Sequence, residues 1–420
     1  MKVGILGSGG REHALCIALN RSKKVSKIYC FPGNAGTKSI AENIEINLDN
    51  FKKIKDFILE SQIDIVIVGP EKPLVEGIVD YLEMYNIKVF GPNELCSKLE
   101  GSKTFTKNLC KKYNIPTADF GIFINSKDAL SFLKDCNLPV VIKADGLAAG
   151  KGVYICNDKA DYSAAVKDIF DGKFGKAEKI LIEEFLVGEE MSFFVICDGK
   201  NFKKFGTAQD HKRVGEGDKG KNTGGMGAYS PSKLDNEILN KKILDQIIKP
   251  TLKGLKELNT SFKGFLYAGL MIVKGEPFLI EYNVRMGDPE CQTILPRLKS
   301  DLAEIVEACI NEKLIETNIE WFNDKSLCIV LCSKGYPEDY RKNLEIFNIK
   351  TIDLTENQFI FHAGTIEKKN KIFSNGGRVL NFVVKSREFE SCRNQALKLI
   401  EKIDWKEGFY RRDIGFKVIN

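Results

Sequence analysis

Two polar segments of this 420-residue chain have residue types that suit phosphate and metal binding. The first, KADGLAAGKGV (143–153), begins with Lys143 at the end of an apolar run and continues as a turn rich in glycine and alanine. Small side chains let backbone N–H groups approach phosphate oxygens closely. The segment is not a P-loop, because three residues separate Gly146 from Gly150 and no Ser or Thr follows Lys151. It predicts a phosphate-covering loop of another kind or, alternatively, a plain flexible hairpin.

The second segment, FLIEYNVRMGDPE (278–290), has the alternation of a strand. This alternation predicts polar residues on one face and apolar residues on the other, namely Glu281, Asn283 and Arg285 against Ile280, Tyr282 and Val284. A carboxylate and an amide oxygen two residues apart suit Mg²⁺. The planar guanidinium of Arg285 suits a carboxylate or a phosphate. An exposed polar strand face is the alternative.

A third segment, IEEFL (182–186), ends an apolar run with two carboxylates beside apolar side chains. An adenine ring needs an apolar slot and acceptors for its amino group. Glu190 follows closely enough to accept hydrogen bonds from ribose hydroxyl groups. A surface acidic cluster is the alternative to a nucleotide site here.

A fourth segment, QDHKRVGEGDKGKNTGGMGAYSP (209–231), combines charged residues with many glycines. It predicts a long loop, and loops of this length are usually functional or disordered. The clustered charges that begin at Asp210 favour a loop that faces a substrate. A free surface loop is the alternative.

The first hundred residues contain the elements that would position a ligand. Short apolar runs ended by Gly or Pro predict strands at 3–7, 27–31, 64–69 and 88–90, with a helix at 11–20. Such a pattern indicates a parallel α/β sheet, in which ligands bind beyond the carboxyl ends of the strands. Polar residues follow the predicted strands at those positions: Ser8 to Arg11, Asn34, Glu71 and Asn93.

The glycine-rich turn after the first predicted strand does not match a dinucleotide-binding fingerprint. Counting from Gly7 and Gly9, the third glycine would stand at position 12, where the chain has Glu12. The second predicted strand runs into Pro32–Gly33 without the expected acidic residue. We therefore expect no NAD, and a tight turn without a ligand stays an alternative at this point.

The middle of the chain predicts strands at 140–143, 152–156, 179–182 and 191–196, with one clear helix at 159–170. This density of strands favours antiparallel pairing. The last part predicts strands at 326–332 and 379–384 and a helix at 389–403. We predict three domains, at 1–102, 103–320 and 321–420, the second with a smaller lid subdomain at about 117–190.

Composition limits the function classes. The net charge of +6 arises from 63 basic and 57 acidic residues spread along the chain, so we expect no nucleic-acid partner. No apolar run approaches the length of a membrane span, and the N-terminus predicts a strand in place of a signal peptide. The 12 cysteines include no Cys-x-x-Cys, which indicates reduced, packed thiols. We expect a cytoplasmic monomer.

The order of these segments resembles the ATP-grasp fold, and longer strings resemble the glycinamide ribonucleotide synthetase family. The strings run from end to end of the chain: GSGGREHA (7–14), PGNAGT (32–37), GPEKPLVEG (69–77), FGPN (90–93), LEGSKTFTK (99–107), IPTADF (115–120), KADGLAAGKGV (143–153), EEFLVGEE (183–190), the 209–231 segment, GFLYAGLM (264–271), HAGT (362–365), NGGRVL (375–380) and RRDIG (411–415). One departure is Met286, which replaces an aromatic residue of similar bulk and predicts repacking without lost chemistry.

The resemblance implies a fold class and a reaction. The fold would be α/β and α+β, with an N-terminal parallel α/β domain, an ATP-grasp core under a glycine-rich lid and a small C-terminal α+β domain. The reaction would join glycine to 5-phosphoribosylamine at the expense of ATP, through glycyl phosphate, with Mg²⁺ or Mn²⁺ as the metal ion. Another ATP-grasp ligase, such as a carboxylase-like enzyme, and a nucleotide-sensing protein without turnover are the rival hypotheses.

The resemblance also implies roles for individual residues. Residues expected to bind ATP are Lys103, Lys143, Gly150, Lys151, Gly152, Glu183, Phe185, Leu186 and Glu190. Glu281 and Asn283 are expected to hold the metal ion, and Arg285, Asp210 and Lys143 to take part in catalysis. Residues expected at glycine or phosphoribosylamine are Gly9, Gly10, Arg11, Asn34, Glu71, Asp210, Thr223, Gly224, Gly225, Arg285, Gly287 and Asp288.

Overall fold

The structure, a computed structural model, describes residues 1–147, 152–173, 175 and 178–419. The first hundred residues alternate strands and helices: β1 (Lys2–Gly7), α1 (Gly10–Asn20), β2 (Lys27–Pro32), β3 (Glu42–Asn43), α2 (Phe51–Glu60), β4 (Ile65–Val68), α3 (Glu71–Val75), α4 (Ile78–Glu83), β5 (Val89–Phe90) and α5 (Glu94–Gly101). The strands form a parallel sheet in the order β3-β2-β1-β4-β5. This confirms the parallel sheet and its predicted strands.

The next part of the chain contains a separate antiparallel sheet. Its elements are α6 (Lys103–Tyr113), β6 (Phe120–Phe123), α7 (Ser126–Leu133), β7 (Val140–Ala144), β8 (Val153–Cys156), α8 (Lys159–Phe170) and β9 (Ile180–Glu184). The strand order is β6-β9-β7-β8, which confirms the predicted antiparallel pairing. Helices α7 and α8 cover the sheet on a small apolar core of its own.

The remaining elements build a large antiparallel sheet, a two-stranded and a three-stranded antiparallel sheet, and helices. They are β10 (Glu189–Asp198), β11 (Phe202–Asp210), β12 (Arg213–Gly215), β13 (Lys219–Asn222), β14 (Gly227–Ser230), α9 (Glu237–Ile243), α10 (Lys249–Glu257), β15 (Lys263–Val273), β16 (Glu276–Asn283), α11 (Glu290–Ile294), α12 (Leu302–Ile310), β17 (Lys325–Ser333), β18 (Glu345–Ile346), β19 (Gln358–His362), β20 (Thr365–Lys368), β21 (Lys371–Ser374), β22 (Arg378–Ser386), α13 (Phe389–Ile400) and β23 (Gly408–Phe409). The two C-terminal strands and the helix predicted from the sequence are confirmed as β17, β22 and α13.

The large sheet runs without a break in the order β16-β15-β10-β11-β14-β17-β22-β19, and β23 pairs with β17. The pairing of β14 with β17 joins the middle of the chain to its last hundred residues. The boundary predicted near 320 therefore lies between strands of one sheet, and the predicted domain limits stay a prediction. Cys328 and Cys332 are buried in β17, and every cysteine is free, as expected.

Two details of the structure differ from the sequence predictions. The 209–231 segment is not a long loop, because β12 and β13 pair as a hairpin inside it. In β16, the register against β15 shifts between the pairs Gly269–Glu281 and Leu270–Leu279. This bulge turns Ile280 away from the face of Tyr282 and Val284, and Leu279 joins those two residues in the core instead. The prediction for Ile280 is therefore wrong.

No helix in the described ranges is long and apolar enough to cross a membrane.

Candidate active site

The carboxyl edge of the parallel sheet is organised around Glu12, the residue that breaks the dinucleotide fingerprint. Its carboxylate accepts a hydrogen bond from Gly9 N at 2.6 Å and one from Arg11 Nε at 2.6 Å. A Cβ at Gly69, which follows β4, would lie 2.0 Å from Glu12 Oε1. Glycine is required there because the carboxylate fills the space between β1 and β4. Glu12 thus closes this edge and fixes the turn at Gly9 and Gly10.

Asn34 lies at the same edge, but the hydrogen bonds of its side-chain amide go to backbone groups. Its Nδ2 donates to the carbonyl oxygens of Ser8 at 2.9 Å and His362 at 2.8 Å, and its Oδ1 accepts from Gly36 N and Thr37 N at 2.8 and 3.1 Å. These partners occupy the hydrogen-bonding capacity of the amide. The geometry favours a role in shaping the turn over direct contact with a ligand.

Arg285, predicted to orient a carboxylate or acyl phosphate, lies between two carboxylates. Its Nη2 donates to Glu100 Oε1 at 2.7 Å, and its Nε lies 3.2 Å from Glu71 Oε2. Glu100 Oε2 also accepts from Val284 N at 2.7 Å, so one carboxylate fixes the backbone after β16 and the guanidinium together. We call Glu71, Arg285 and Glu100 the arginine triad.

The two carboxylates of the arginine triad have opposite pKa shifts. Burial raises the pKa of Glu100 to about 7, although Arg285 opposes this effect. The charge of Arg285 lowers the pKa of Glu71, which is more exposed, to about 2. The arginine is thus matched by one firmly ionised carboxylate and one that titrates near neutral pH.

A second charged cluster joins the middle of α6 to the carboxyl ends of β7 and β9. Glu183 is paired with Lys107 through Oε1 and with Lys143 through Oε2, and all three side chains are buried. Lys107 also donates to Thr117 Oγ1, which in turn donates to the carbonyl oxygen of Leu279 at 2.6 Å. Burial would raise the pKa of Glu183, but Lys143 and Lys107 lower it below its ordinary value. We call Lys107, Glu183 and Lys143 the lysine triad.

Lys143 and Glu183 belong to the lysine triad, and three more of the predicted nucleotide residues, Lys103, Phe185 and Leu186, lie next to it. Lys103 at the start of α6 donates to the carbonyl oxygen of Gly146 at 2.8 Å, and burial lowers its pKa, with Glu281 opposing. Phe185 and Leu186 are half-buried at the connection between β9 and β10. The carbonyl oxygen of Gly152 accepts from Ala144 N. The predictions for Gly150 and Lys151 lie outside the described residues.

Glu281 and Asn283 lie side by side after the bulge in β16 and are half-buried. Neither side chain makes a hydrogen bond or an ion pair with any residue in the described ranges. The same part of the chain contains no cluster of three or more His, Cys, Asp or Glu able to hold a metal ion. Two oxygen donors without protein partners fit a hard cation that completes its coordination with phosphate oxygens and water.

Asp210 ends β11 beside a separate ion pair between Lys212 Nζ and Glu190 Oε2 at 2.6 Å. Burial raises the pKa of Asp210 to about 7, with Lys212 opposing and Glu290 adding to the rise. Glu190, predicted to meet ribose, is exposed and linked to the Asp210 region through Lys212. The Asp210 carboxyl, unlike that of Glu190, therefore titrates close to neutral pH.

The predicted substrate turns at 223–225 and 287–288 meet each other. Asp288 Oδ2 accepts from Arg11 N at 3.2 Å, and Asp288 Oδ1 accepts from Gln292 Nε2 at 2.7 Å. Thr223 Oγ1 donates to the carbonyl oxygen of Lys212 at 2.9 Å and accepts from Gly225 N at 3.0 Å. Next to Asp288, the Glu290 carboxylate fills the space where a Cβ of Gly287 would stand.

Comparison with family models decides the family. The model for the N domain of phosphoribosylglycinamide synthetase matches residues 1–100, the model for its ATP-grasp (A) domain matches residues 101–291, and the model for its C domain matches residues 326–417. The chain belongs to the phosphoribosylglycinamide synthetase family. The family and the ATP-grasp fold inferred from the sequence motifs are therefore confirmed.

Full-length relatives in this family are similar to the chain. It is 44% identical over 420 residues to a phosphoribosylamine–glycine ligase of Brucella melitensis biotype 1, with 100% of this chain and 98% of that protein covered. It is 45% identical to one of Mesorhizobium japonicum, with 100% and 99% covered. A crystal structure of phosphoribosylamine–glycine ligase from Thermotoga maritima matches with a TM-score of 0.86 and 34% identity, covering 99% of this chain and 100% of that one.

A more distant structure shares the fold alone. The biotin carboxylase domain of 2-oxoglutarate carboxylase from Hydrogenobacter thermophilus matches with a TM-score of 0.73 and 18% identity, covering 97% of this chain and 91% of that chain. That structure is a complex with MgADP, ADP and bicarbonate.

The structure adds residues that sequence reasoning did not assign in this synthetase-family chain. Glu100 and Lys107 complete the two triads, and Arg378 and Tyr336 contact the turn at Gly224. Three of these residues lie in motifs that resemble the family, Glu100 and Lys107 in LEGSKTFTK and Arg378 in NGGRVL. The motifs could therefore have indicated them as site residues. Tyr336 lies outside those motifs and had no such signal.

Proposed function

We propose that the chain ligates glycine to 5-phosphoribosylamine, with ATP converted to ADP and phosphate. The observation that carries this function is the position of β16. Thr117 joins its Leu279 carbonyl oxygen to Lys107 of the lysine triad, and Arg285, just after the strand, lies in the arginine triad. One strand thus connects the lysines suited to ATP phosphates with the guanidinium suited to the glycine carboxylate. Family membership and full-length relatives that bear this activity in their names support the proposal.

The first step activates glycine. A carboxylate oxygen of glycine attacks the γ-phosphorus of ATP, the bond to the β-phosphate bridging oxygen breaks, and glycyl phosphate and ADP form. Lys103 and Lys143 would bind the phosphates, and Arg285 would orient the carboxylate and then the acyl phosphate. Such a transfer is catalysed by positioning and charge neutralisation. It needs no nucleophile from the protein.

The second step forms the amide. The amine nitrogen of phosphoribosylamine attacks the carbonyl carbon of glycyl phosphate, the carbon–oxygen bond to phosphate breaks, and the nitrogen loses a proton. Asp210 and the turn at Thr223 to Gly225 would face glycine and the amine, with Asp210 ready to accept that proton. Gly9 to Arg11, Glu71, Gly287 and Asp288 would surround phosphoribosylamine.

Adenosine and the metal ion would use the remaining predicted residues. Glu183, Phe185, Leu186 and Glu190 would frame adenosine. Glu281 and Asn283 would hold Mg²⁺ or Mn²⁺, which supplies positive charge to the phosphates. Gly150, Lys151 and Gly152 would cover the phosphates and exclude water from the acyl phosphate.

The experiment is ADP release by the purified chain with MgATP, glycine and phosphoribosylamine made in place from phosphoribosyl pyrophosphate and ammonia. We expect release that needs both glycine and the amine. Release that needs bicarbonate in place of glycine would replace this function with a carboxylase-like one. ATP binding without ADP formation under either condition would favour a nucleotide sensor.

A monomer in the cytoplasm, without a nucleic-acid partner, remains part of the proposal. Light scattering after size exclusion should give a mass near the 47.2 kDa of one chain. A mass of twice that value would contradict it.

A further inference from the structure

Arg378, in the NGGRVL motif, lies where two of the predicted substrate turns meet. Its Nη1 donates to the carbonyl oxygen of Gly224 at 2.6 Å and to the carbonyl oxygen of Asp288. The same nitrogen lies 3.4 Å from Asp288 Oδ1. One guanidinium group therefore ties the 223–225 turn to the 287–288 turn.

Tyr336 holds the Gly224 turn from a second direction. Its hydroxyl accepts a hydrogen bond from Gly224 N at 2.9 Å. Gly224 is thus bound at both its N–H and its carbonyl oxygen by side chains from the last hundred residues. A Cβ at Gly224 would lie 3.1 Å from the Arg378 guanidinium carbon, so the absence of a side chain permits this close approach.

The large sheet fixes Arg378 relative to the turn. Strand β14 begins at Gly227, directly after the turn, and pairs with β17. Strand β17 pairs with β22, whose first residue is Arg378, and places it opposite Cys332. Because these strands are hydrogen-bonded neighbours, the guanidinium is presented to the turn by a rigid element.

The β12–β13 hairpin, in the same 209–231 segment, is held by separate contacts from residues near the C-terminus. Arg411 is buried and donates to Asp218 Oδ1 at 2.8 Å and to the carbonyl oxygen of Arg213 at 2.9 Å. Asp413 Oδ2 accepts from Gly217 N at 2.8 Å. These contacts hold the β12–β13 hairpin and leave the Gly224 turn to Arg378 and Tyr336.

We propose that Arg378 is a positioning residue that, with Tyr336, sets the Gly224 turn against Asp288 for the binding of glycine and phosphoribosylamine. This role rests on the proposed ligase function. The nucleotide end of the site lies around the lysine triad, and Arg378 makes no contact with that triad among the described residues. Loss of Arg378 should therefore weaken the use of glycine and phosphoribosylamine and leave the binding of ATP unchanged.

The kinetic test compares Arg378→Ala with Arg387→Ala, which removes an exposed arginine just after β22. Misplacement of a site by about 1 Å can cost ~10²-fold in rate. We expect kcat/KM for glycine and for the amine to fall by about 10²-fold in Arg378→Ala, with the KM for MgATP unchanged. Millimolar guanidinium ion should restore part of the loss. Wild-type kinetics, or an equal rise of every KM, would overturn the proposal.

Hydrogen exchange at residues 223–226 tests the same contacts without turnover. We expect faster exchange of the Gly224 amide in Arg378→Ala and in Tyr336→Phe, and wild-type exchange in Arg387→Ala. Unchanged exchange in both site variants would overturn the positioning role, even if ligation is observed. Should the unmodified chain fail to ligate, the proposed function falls, while exchange still decides whether Arg378 holds the turn.

Discussion

The two triads of the candidate site have inverse compositions. In the lysine triad one carboxylate, Glu183, is shared by Lys107 and Lys143. In the arginine triad one cation, Arg285, is shared by Glu71 and Glu100. With every group ionised, the first carries excess positive charge and the second excess negative charge, although both lie beside β16.

This inversion indicates which part of the reaction each triad would serve. A polyphosphate is attracted to a cluster with spare cations, and Lys103 adds another cation beside the lysine triad. In the arginine triad two carboxylates orient the Arg285 guanidinium. They would keep it from binding the polyphosphate of ATP. The two clusters would thus separate the ATP end of the reaction from the amine end.

The largest expected effect comes from removing the centre of the lysine triad. Glu183→Ala would leave Lys107 and Lys143 buried without a carboxylate, and removing one partner of a buried pair typically costs about 3–5 kcal/mol. We expect urea denaturation to show a loss of that size in the free energy of unfolding. The matched control is Glu184→Ala, on the same strand but exposed, which should change stability by less than about 0.5 kcal/mol. Equal losses in both variants would contradict the lysine triad.

Removing the centre of the arginine triad should affect rate more than ATP binding. Loss of one electrostatic contact to a reacting group typically costs ~10²–10³ in kcat. We expect Arg285→Ala to show such a loss with an unchanged KM for MgATP, measured by ADP release. Glu281→Ala should lose a similar factor in kcat but also raise the KM for MgATP, because it would hold the metal ion. Near-wild-type turnover of Arg285→Ala would remove this residue from the mechanism.

The pH dependence of stability separates the two carboxylates of the arginine triad. The pKa of Glu100, about 7, is above the ordinary value of 4.5, so the unfolded chain releases this proton at lower pH. Its stabilising contribution is therefore full below about pH 4.5 and is lost as the pH rises through 7. The pKa of Glu71, about 2, is shifted in the opposite direction, below the ordinary value of 4.5. The stabilising contribution of Glu71 is therefore lost only as the pH falls from 4.5 toward 2.

Glu100→Gln tests this difference between pH 5 and pH 8. We expect the free energy of unfolding of the wild type to fall relative to that of the variant over this interval, by an amount on the order of 2 kcal/mol. Urea midpoints at the two pH values would measure it. Glu94→Gln, at the exposed start of the same helix, serves as the control. A wild type that gains stability relative to Glu100→Gln at pH 8 would reverse the assignment.

Local patterns predicted much of the fold and part of the candidate site. Short apolar runs bounded by Gly and Pro located β1, β2, β4 and β5, because each run is long enough for one buried strand. Alternation also placed Tyr282 and Val284 in the core. It failed at Ile280, because a bulge changes the register and the sequence contains no local signal for it.

Long-range contacts explain what the sequence did not predict. Arg285 and Glu100 are 185 positions apart, and Arg378 and Gly224 are 154 apart. No local period links such residues, so their pairing follows only from the folded sheets. The β12–β13 hairpin is similar, because a glycine-rich segment that predicts a loop is ordered by Arg411 from 193 positions away.

The most direct test of the proposed reaction follows an oxygen atom. The chain would be supplied with MgATP, phosphoribosylamine and glycine labelled with ¹⁸O in both carboxylate oxygens, and the released phosphate would be analysed by mass spectrometry. Because glycyl phosphate would carry one glycine oxygen to the phosphorus, we predict one ¹⁸O in each phosphate released. Phosphate without ¹⁸O, formed alongside glycinamide ribonucleotide, would contradict activation of glycine by ATP.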